Sequence, residues 1–244
     1  MCSYSIYTTS PPNPLLCSQS PSLTQQPIPS PPSPPACSNP RPNIHTTNSS
    51  PVPPPTVSQK YTNPFPAPKR FITTHDPAGK AIIDTSFGEE MPITVIKGGE
   101  VDFGLGFTTS SFPVSFADDA DLSVYGGHVK TGPGIAVPTG TVMRIVTMAP
   151  GHVSPMHRTS SLDYGVVLEG ECELVLDSGE TRLMKRGDTS VQRGTNHAWR
   201  NASDKEWCRM LYVVIGAEAA VVNGKKLEED TNGAEQGQTG DLQK

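Results

Sequence analysis

Gly151-His-Val-Ser-Pro-Met-His157-Arg-Thr159-Ser-Ser-Leu-Asp163-Tyr-Gly-Val-Val-Leu-Glu-Gly170 and Gly187-Asp-Thr-Ser-Val-Gln192-Arg-Gly194-Thr-Asn-His197-Ala-Trp199-Arg-Asn201 decide how this chain is read. Both stretches are rich in strand-forming residues and punctuated by glycines suited to turns. Side chains on a strand alternate between faces, so an extended run over 157–163 puts His157, Thr159, Ser161 and Asp163 on one side; a turn at Ser160-Ser161 breaks that register. His197 supplies a second imidazole from the later stretch.

The surrounding chain repeats the strand pattern. Val142, Arg144, Val146 and Met148 alternate with Met143, Ile145 and Thr147, and Gly170, Ser178-Gly179 and Arg186-Gly187 separate the short strand-like runs 164–168, 172–176 and 182–185. Residues 207–215 form one more strand, apolar on both faces. Short strands at this spacing predict an all-β sandwich or barrel. Shorter strand-like runs, 93–97 and 101–107, lie upstream within 69–138, an N-terminal β arm expected to pack on a core spanning 139–216.

Both ends differ in composition. Residues 1–68 hold 19 of the 26 prolines and carry no apolar periodicity, which predicts a disordered, locally polyproline-II-like tail. Pro29-Ser-Pro-Pro-Ser-Pro-Pro35 within it fits an SH3 or WW ligand by composition. Residues 217–244 read as a polar C-terminal tail.

Charge and apolar content exclude several functions. With 19 basic against 24 acidic side chains there is no broad positive field for nucleic acid. No run of 18 apolar residues predicts a membrane span, and the N-terminus lacks the pattern of a secretory signal, so a cytoplasmic location is expected. Cys2, Cys17, Cys37, Cys172 and Cys208 show no metal or disulfide spacing, and are expected reduced and unpaired.

The two quoted stretches resemble the paired motifs of the cupin superfamily. Gly151, His157, Asp163 and Gly170 fall on the spacing of its first motif, with Asp for Glu, and Gly194, His197 and Asn201 on that of its second. Thr159 stands where the second His is usual, Gln192 where a Pro is usual, and the stretch after Gly187 is one residue short. The resemblance implies a single-domain cupin jelly roll, a double-stranded β-helix, with His157, Asp163 and His197 meeting inside the barrel. Two imidazoles and a carboxylate suit a divalent transition metal such as iron, here weakly bound or absent because a hydroxyl replaces an imidazole. The same residues also serve as a metal-free acid–base or ligand-binding set, or as hydrogen-bonded filling of a polar core. Thr159, Tyr164, Arg144 and Trp199 are the expected pocket residues; for Trp199 and Tyr164 core packing, and for Arg144 the outer face, are the competing placements.

The run 155–170, continued by 191–201, is similar to small cupin-domain oxidoreductases of fungal secondary-metabolite clusters that make salicylaldehyde-type polyketides. That similarity implies a tailoring enzyme acting on a small polyketide intermediate, with catalytic His157, Asp163 and His197. The alternatives are a non-catalytic small-molecule binder and a metal-free isomerase or cyclase. No Gly-rich dinucleotide motif occurs, so neither nicotinamide nor flavin is expected, and a homodimer is compatible with the resemblance.

Overall fold

The computed structural model describes residues 61–232. Residues 1–60 of the tail expected over 1–68, including the proline run 29–35, and the chain beyond 232 lie outside the described residues. Residues 61–68, ahead of Lys69, already pack on the domain. Asn63 Nδ2 donates to Asp102 Oδ2 at 2.6 Å, and the Arg209 guanidinium stacks 4.8 Å from the Phe65 ring while donating to the Pro66 carbonyl. Proline content marked 61–68 as tail, yet these contacts lay it on the domain.

Thirteen strands and one α-helix follow in order among the described residues: β1 (Thr73–His75), β2 (Ala81–Ile83), β3 (Ile93–Ile96), β4 (Val101–Thr109), α1 (Ala120–Thr131), β5 (Thr141–Met148), β6 (Ser161–Glu169), β7 (Glu171–Leu176), β8 (Thr181–Lys185), β9 (Thr189–Arg193), β10 (His197–Asn201), β11 (Cys208–Gly216), β12 (Val221–Val222) and β13 (Lys225–Lys226). A six-stranded sheet runs β3-β4-β5-β11-β6-β9 and a three-stranded sheet runs β10-β7-β8; β1-β2 and β12-β13 are separate two-stranded pairs. All pairings between named strands are antiparallel.

Register fixes which side chains meet. In the large sheet Val146–Met210–Val167, Arg144–Tyr212–Gly165–Ser190 and Val142–Val214–Asp163–Gln192 form successive rows across neighbouring strands. In the small sheet Asn201–Cys172–Met184 and Trp199–Leu174 face the same interior. Val142, Val146, Val167, Cys172, Met184, Trp199, Cys208, Met210 and Val214 pack into one core between the two sheets. The interior is therefore apolar at one end and polar at the other, where Asp163, Gln192 and His197 lie.

Gly170 shows why the β6–β7 turn needs glycine. Its φ of +70° disfavours any L side chain, and an added Cβ would collide with the Trp207 carbonyl.

The helix α1 was not evident in the sequence. It has two glycines and only weak amphipathicity, so tertiary contacts hold it. Tyr125 is fully buried, its hydroxyl donating to the Leu105 carbonyl at 3.1 Å and its ring packed against Phe87 and Phe107. His128 sits on this helix with Nδ1 2.8 Å from Thr108 Oγ1.

The C-terminal segment also departs from the expectation of a tail. After the β12–β13 hairpin, Asp230 and Arg158 exchange two backbone hydrogen bonds of 2.7 and 2.9 Å. Glu229 Oε1 accepts from the Ser160 amide, and Asn232 Nδ2 donates to the Met156 carbonyl. Residues 227–232 thus form a strap along 156–160, held by the Asp230 backbone and by the exposed Glu229 and Asn232 side chains bonding backbone groups of that stretch.

Candidate functional site

The chain reaches His157 on one sheet and Asp163 on the other. Residues 153–157 run beside β10: Val153 bridges Arg200, and His157 bridges His197 through hydrogen bonds of 2.8 and 2.9 Å. The chain then crosses to the large sheet, where β6 starts at Ser161. Pro155, which lacks an N–H, sits in the irregular stretch between the two bridges.

Directly opposite positions share a face, so the imidazoles of His157 and His197 lie together, ring centroids 4.5 Å apart. Each ring is tethered in the same way. His157 Nδ1 is 2.8 Å from the Pro155 carbonyl and His197 Nδ1 is 2.9 Å from the Thr195 carbonyl. A carbonyl only accepts, so Nδ1 carries the hydrogen in both rings and each neutral imidazole keeps its lone pair on Nε2.

Trp199 extends the aromatic row. Its ring meets His197 edge-on at 5.7 Å and Tyr212 at 5.3 Å. Trp199 is held by its backbone amide donating to Ser154 Oγ, which ties β10 to the stretch carrying His157.

Burial pushes the His197 pKa down to about 4, helped by the neighbouring His157, against a smaller opposing effect of the Thr195 carbonyl. His197 is thus a neutral imidazole near pH 7. An unfolded histidine titrates at about 6.5. As pH falls from about 6.5 toward about 4, the unfolded chain binds a proton that folded His197 refuses, and stability drops by about 3 kcal/mol. Asp163 acts in the opposite sense: burial raises its pKa, so its contribution favours the folded state as pH falls. Denaturant titrations at pH 7 and pH 4.5 should show a markedly smaller loss for His197→Gln than for the wild type. Equal losses would remove His197 as the cause.

Asp163 is buried on β6. Burial raises its pKa, while the Ser161 hydroxyl, His157 and Arg144 each favour the charged form. Arg144 is buried on the same interior face, its Nη2 donating to the Gly134 carbonyl at 2.6 Å. Burial pushes its pKa down to about 10, with Asp163 opposing, so it stays a cation near pH 7. Thr159 is buried and its hydroxyl shares a 2.7 Å hydrogen bond with Ser161.

Tyr164, expected in the pocket, is a correction. It precedes Gly165 and follows Asp163, both inward, so strand alternation turns it to the outer face, where it is 45% exposed. His152 is apart from the pair, with Nδ1 3.5 Å from Glu100 Oε2.

Gln192 and Ser190, absent from the expected site, are buried on β9 beside β6. Ser190 had no distinguishing signal, whereas Gln192 did: it occupies a position where the resembling motif carries an apolar ring.

The donors were compared with the metal the resemblance implies. His157 and His197 each offer Nε2, but the Thr159 hydroxyl is engaged with Ser161, and Asp163 stands on the facing sheet. Among the described residues no three side chains of His, Cys, Asp or Glu are grouped so as to hold a metal ion. The residues present do not fit a centre with three or four protein ligands.

The cupin domain family matches residues 144–214, the span from Arg144 in β5 to Val214 in β11. Phomopsin biosynthesis cluster protein D of Diaporthe leptostromiformis is 49% identical over 160 residues, 66% of this chain and 84% of that protein. This chain belongs to the cupin family. Oryzines biosynthesis cluster protein J of Aspergillus oryzae is 46% identical over 68% of this cupin and 92% of its own length. The cupin-domain-containing oxidoreductase srdB of Neurospora crassa is 38% identical over 68% and 85%. Among solved structures, the cupin domain of an XRE family transcriptional regulator from Enterobacter cloacae aligns with 31% of this chain and 80% of its own, at 26% identity and a TM-score of 0.27. No helix among the described residues is long and apolar enough to cross a membrane.

Proposed function

We propose that this cupin is a tailoring protein of secondary-metabolite biosynthesis whose imidazole pair moves protons on a carbonyl-bearing intermediate. The observation that carries this reading is the pair itself: two rings 4.5 Å apart, both tethered through Nδ1, both with a free Nε2 lone pair. Such a pair takes a proton at one Nε2 and, from the imidazolium so formed, returns that same proton to another atom of the intermediate, directly or after passing it to the neighbouring Nε2, as isomerisation, cyclisation or dehydration requires. Arg144 places a fixed positive charge on the same interior face, suited to charge developing on a carbonyl oxygen. His157 and His197 are the assigned acid–base groups, with Asp163 electrostatically linked to His157.

Relatives named for the phomopsin and oryzines biosynthesis clusters, and others named cupin-domain-containing oxidoreductases, support a tailoring role. A salicylaldehyde-type polyketide is the substrate class implied by the sequence resemblance, and the aromatic row of His157, His197, Trp199 and Tyr212 suits a flat aromatic body. A net oxidation or reduction would require an electron carrier or a metal such as iron recruited during turnover. The second reading, a binder that shields a reactive intermediate, uses the same aromatic lining without proton transfer.

Elemental analysis of the full-length protein after chelator dialysis, paired with turnover of candidate intermediates, tests the proposal. Turnover with well under one equivalent of transition metal is expected. Activity that vanishes with the metal and returns with iron would overturn the metal-free mechanism, and absence of turnover on every intermediate that binds would leave the binder.

A further inference from the structure

Beside the imidazole pair, β6 and β9 carry three buried polar atoms that the protein does not satisfy. Asp163 Oδ1, Gln192 Nε2 and Ser190 Oγ have no hydrogen-bond partner among the described residues, although their side chains are only 8%, 4% and 8% exposed. Buried polar groups are nearly always paired, because an orphan loses its water without compensation. Asp163 and Gln192 are register partners on adjacent strands, yet the carboxylate oxygen and the amide nitrogen do not bond to each other. An acceptor and a donor are thus presented side by side.

The orientation of the amide is set locally. Thr195 Oγ1 donates to Gln192 Oε1, which leaves Nε2 as the unanswered end. Ser161 serves the Asp163 carboxyl, leaving Oδ1 unanswered. Ser190 stands one row further along, opposite Gly165, where an added Cβ would come within 2.5 Å of Ser190 Oγ. The missing side chain at 165 is what admits that hydroxyl.

Resting on the reading of the barrel interior as the ligand site, we propose that Gln192 and Asp163 form a specificity clamp for a planar group with an acceptor beside a donor, such as a carboxamide or an enol next to a carbonyl. Gln192 Nε2 donates to the ligand oxygen, and the ligand's N–H or O–H donates to Asp163 Oδ1. A free carboxylate is selected against, since it brings no donor and sets a second negative charge against Asp163. An apolar ligand leaves all the orphans unmet.

Calorimetric titration of the full-length protein with benzamide and with acetophenone tests this. Acetophenone keeps the carbonyl and the ring but lacks the donor. Benzamide is expected to bind about tenfold tighter or better, the scale of one hydrogen bond to a charged group. Asp163→Leu should bring the two probes to within about twofold, since only benzamide uses that oxygen. Gln192→Leu should weaken both by a similar factor, since both use that nitrogen. Should Asp163→Leu not fold, Gln192→Glu replaces the donor by an acceptor and must weaken both probes. Equal binding of the probes by the wild type, binding of neither, or an unchanged preference in Asp163→Leu would each overturn the proposal. His197→Ala separates this clamp from the catalytic reading: it should keep the benzamide preference whether or not turnover survives.

Discussion

His197→Ala is expected to lower turnover by about 10²–10⁴-fold, the range for losing a positioned acid–base group. The effect should fall on kcat more than on KM. The ring abstracts or returns a proton, whereas the Asp163–Gln192 end and the aromatic row contribute to binding. His197 is buried, its Nδ1 is fixed on the Thr195 carbonyl, and its pKa near 4 keeps it neutral around pH 7, so Nε2 is available throughout the working range. His157→Ala should give a loss of the same order, and the double variant little more than either single, because the two rings work as one unit. Thr159→His is the useful control. It inserts a third imidazole beside the pair and should raise metal content without raising turnover, if proton transfer is the chemistry. Steady-state rates on chelator-treated protein check all four variants. Full activity in His197→Ala would leave only the binder.

The largest expected loss of stability is at Asn201, the last residue of β10. Its side chain is 1% exposed, and Nδ2 donates to the Met148, Ala149 and Glu206 carbonyls at 3.2, 3.0 and 2.8 Å. Its Oδ1 accepts from the Ser203 amide at 3.1 Å. One amide therefore ties the end of β5, the β10–β11 loop and the core together. Asn201→Ala orphans several of these groups at once and should cost about 3–5 kcal/mol, at roughly 1–3 kcal/mol for each buried group left unpaired. That corresponds to a fall in Tm of about 10 °C for a domain of this size. Asn201→Asp should be as damaging, since a carboxylate cannot donate to three carbonyls. A melting temperature within about 2 °C of wild type for Asn201→Ala would show that the network is dispensable.

The barrel was legible because its strands obey alternation. Buried Val142, Arg144, Val146 and Met148 recur at every second position of β5, and glycines mark the turns. The imidazole pair was legible because two histidines stand at motif spacing. The same counting misplaced other groups. Parity over 157–163 held only for one extended strand, and the break foreseen at Ser160-Ser161 is where the chain changes sheets; His157 and Asp163 end up in one interior because the two sheets face each other. Tyr164 was drawn into the pocket by its neighbours, though alternation alone sends it outward. Gln192 and Ser190 were missed because one-dimensional spacing does not show that β9 pairs with β6. The helix α1 had no periodic signal to find, since its stability resides in Tyr125 packing on β4 and Phe87.

The strap at 227–232 gives the molecule an evolutionary seam. It lies outside the family-matched span 144–214, yet it hydrogen-bonds the stretch 156–160 that follows and includes His157. None of these residues takes part in the β6–β11 pairing or in the core. Changes in this peripheral segment therefore act on one wall of the site without replacing any barrel residue, and chimaeras exchanging only 217–232 between relatives are the place to look for altered ligand choice on an unchanged scaffold.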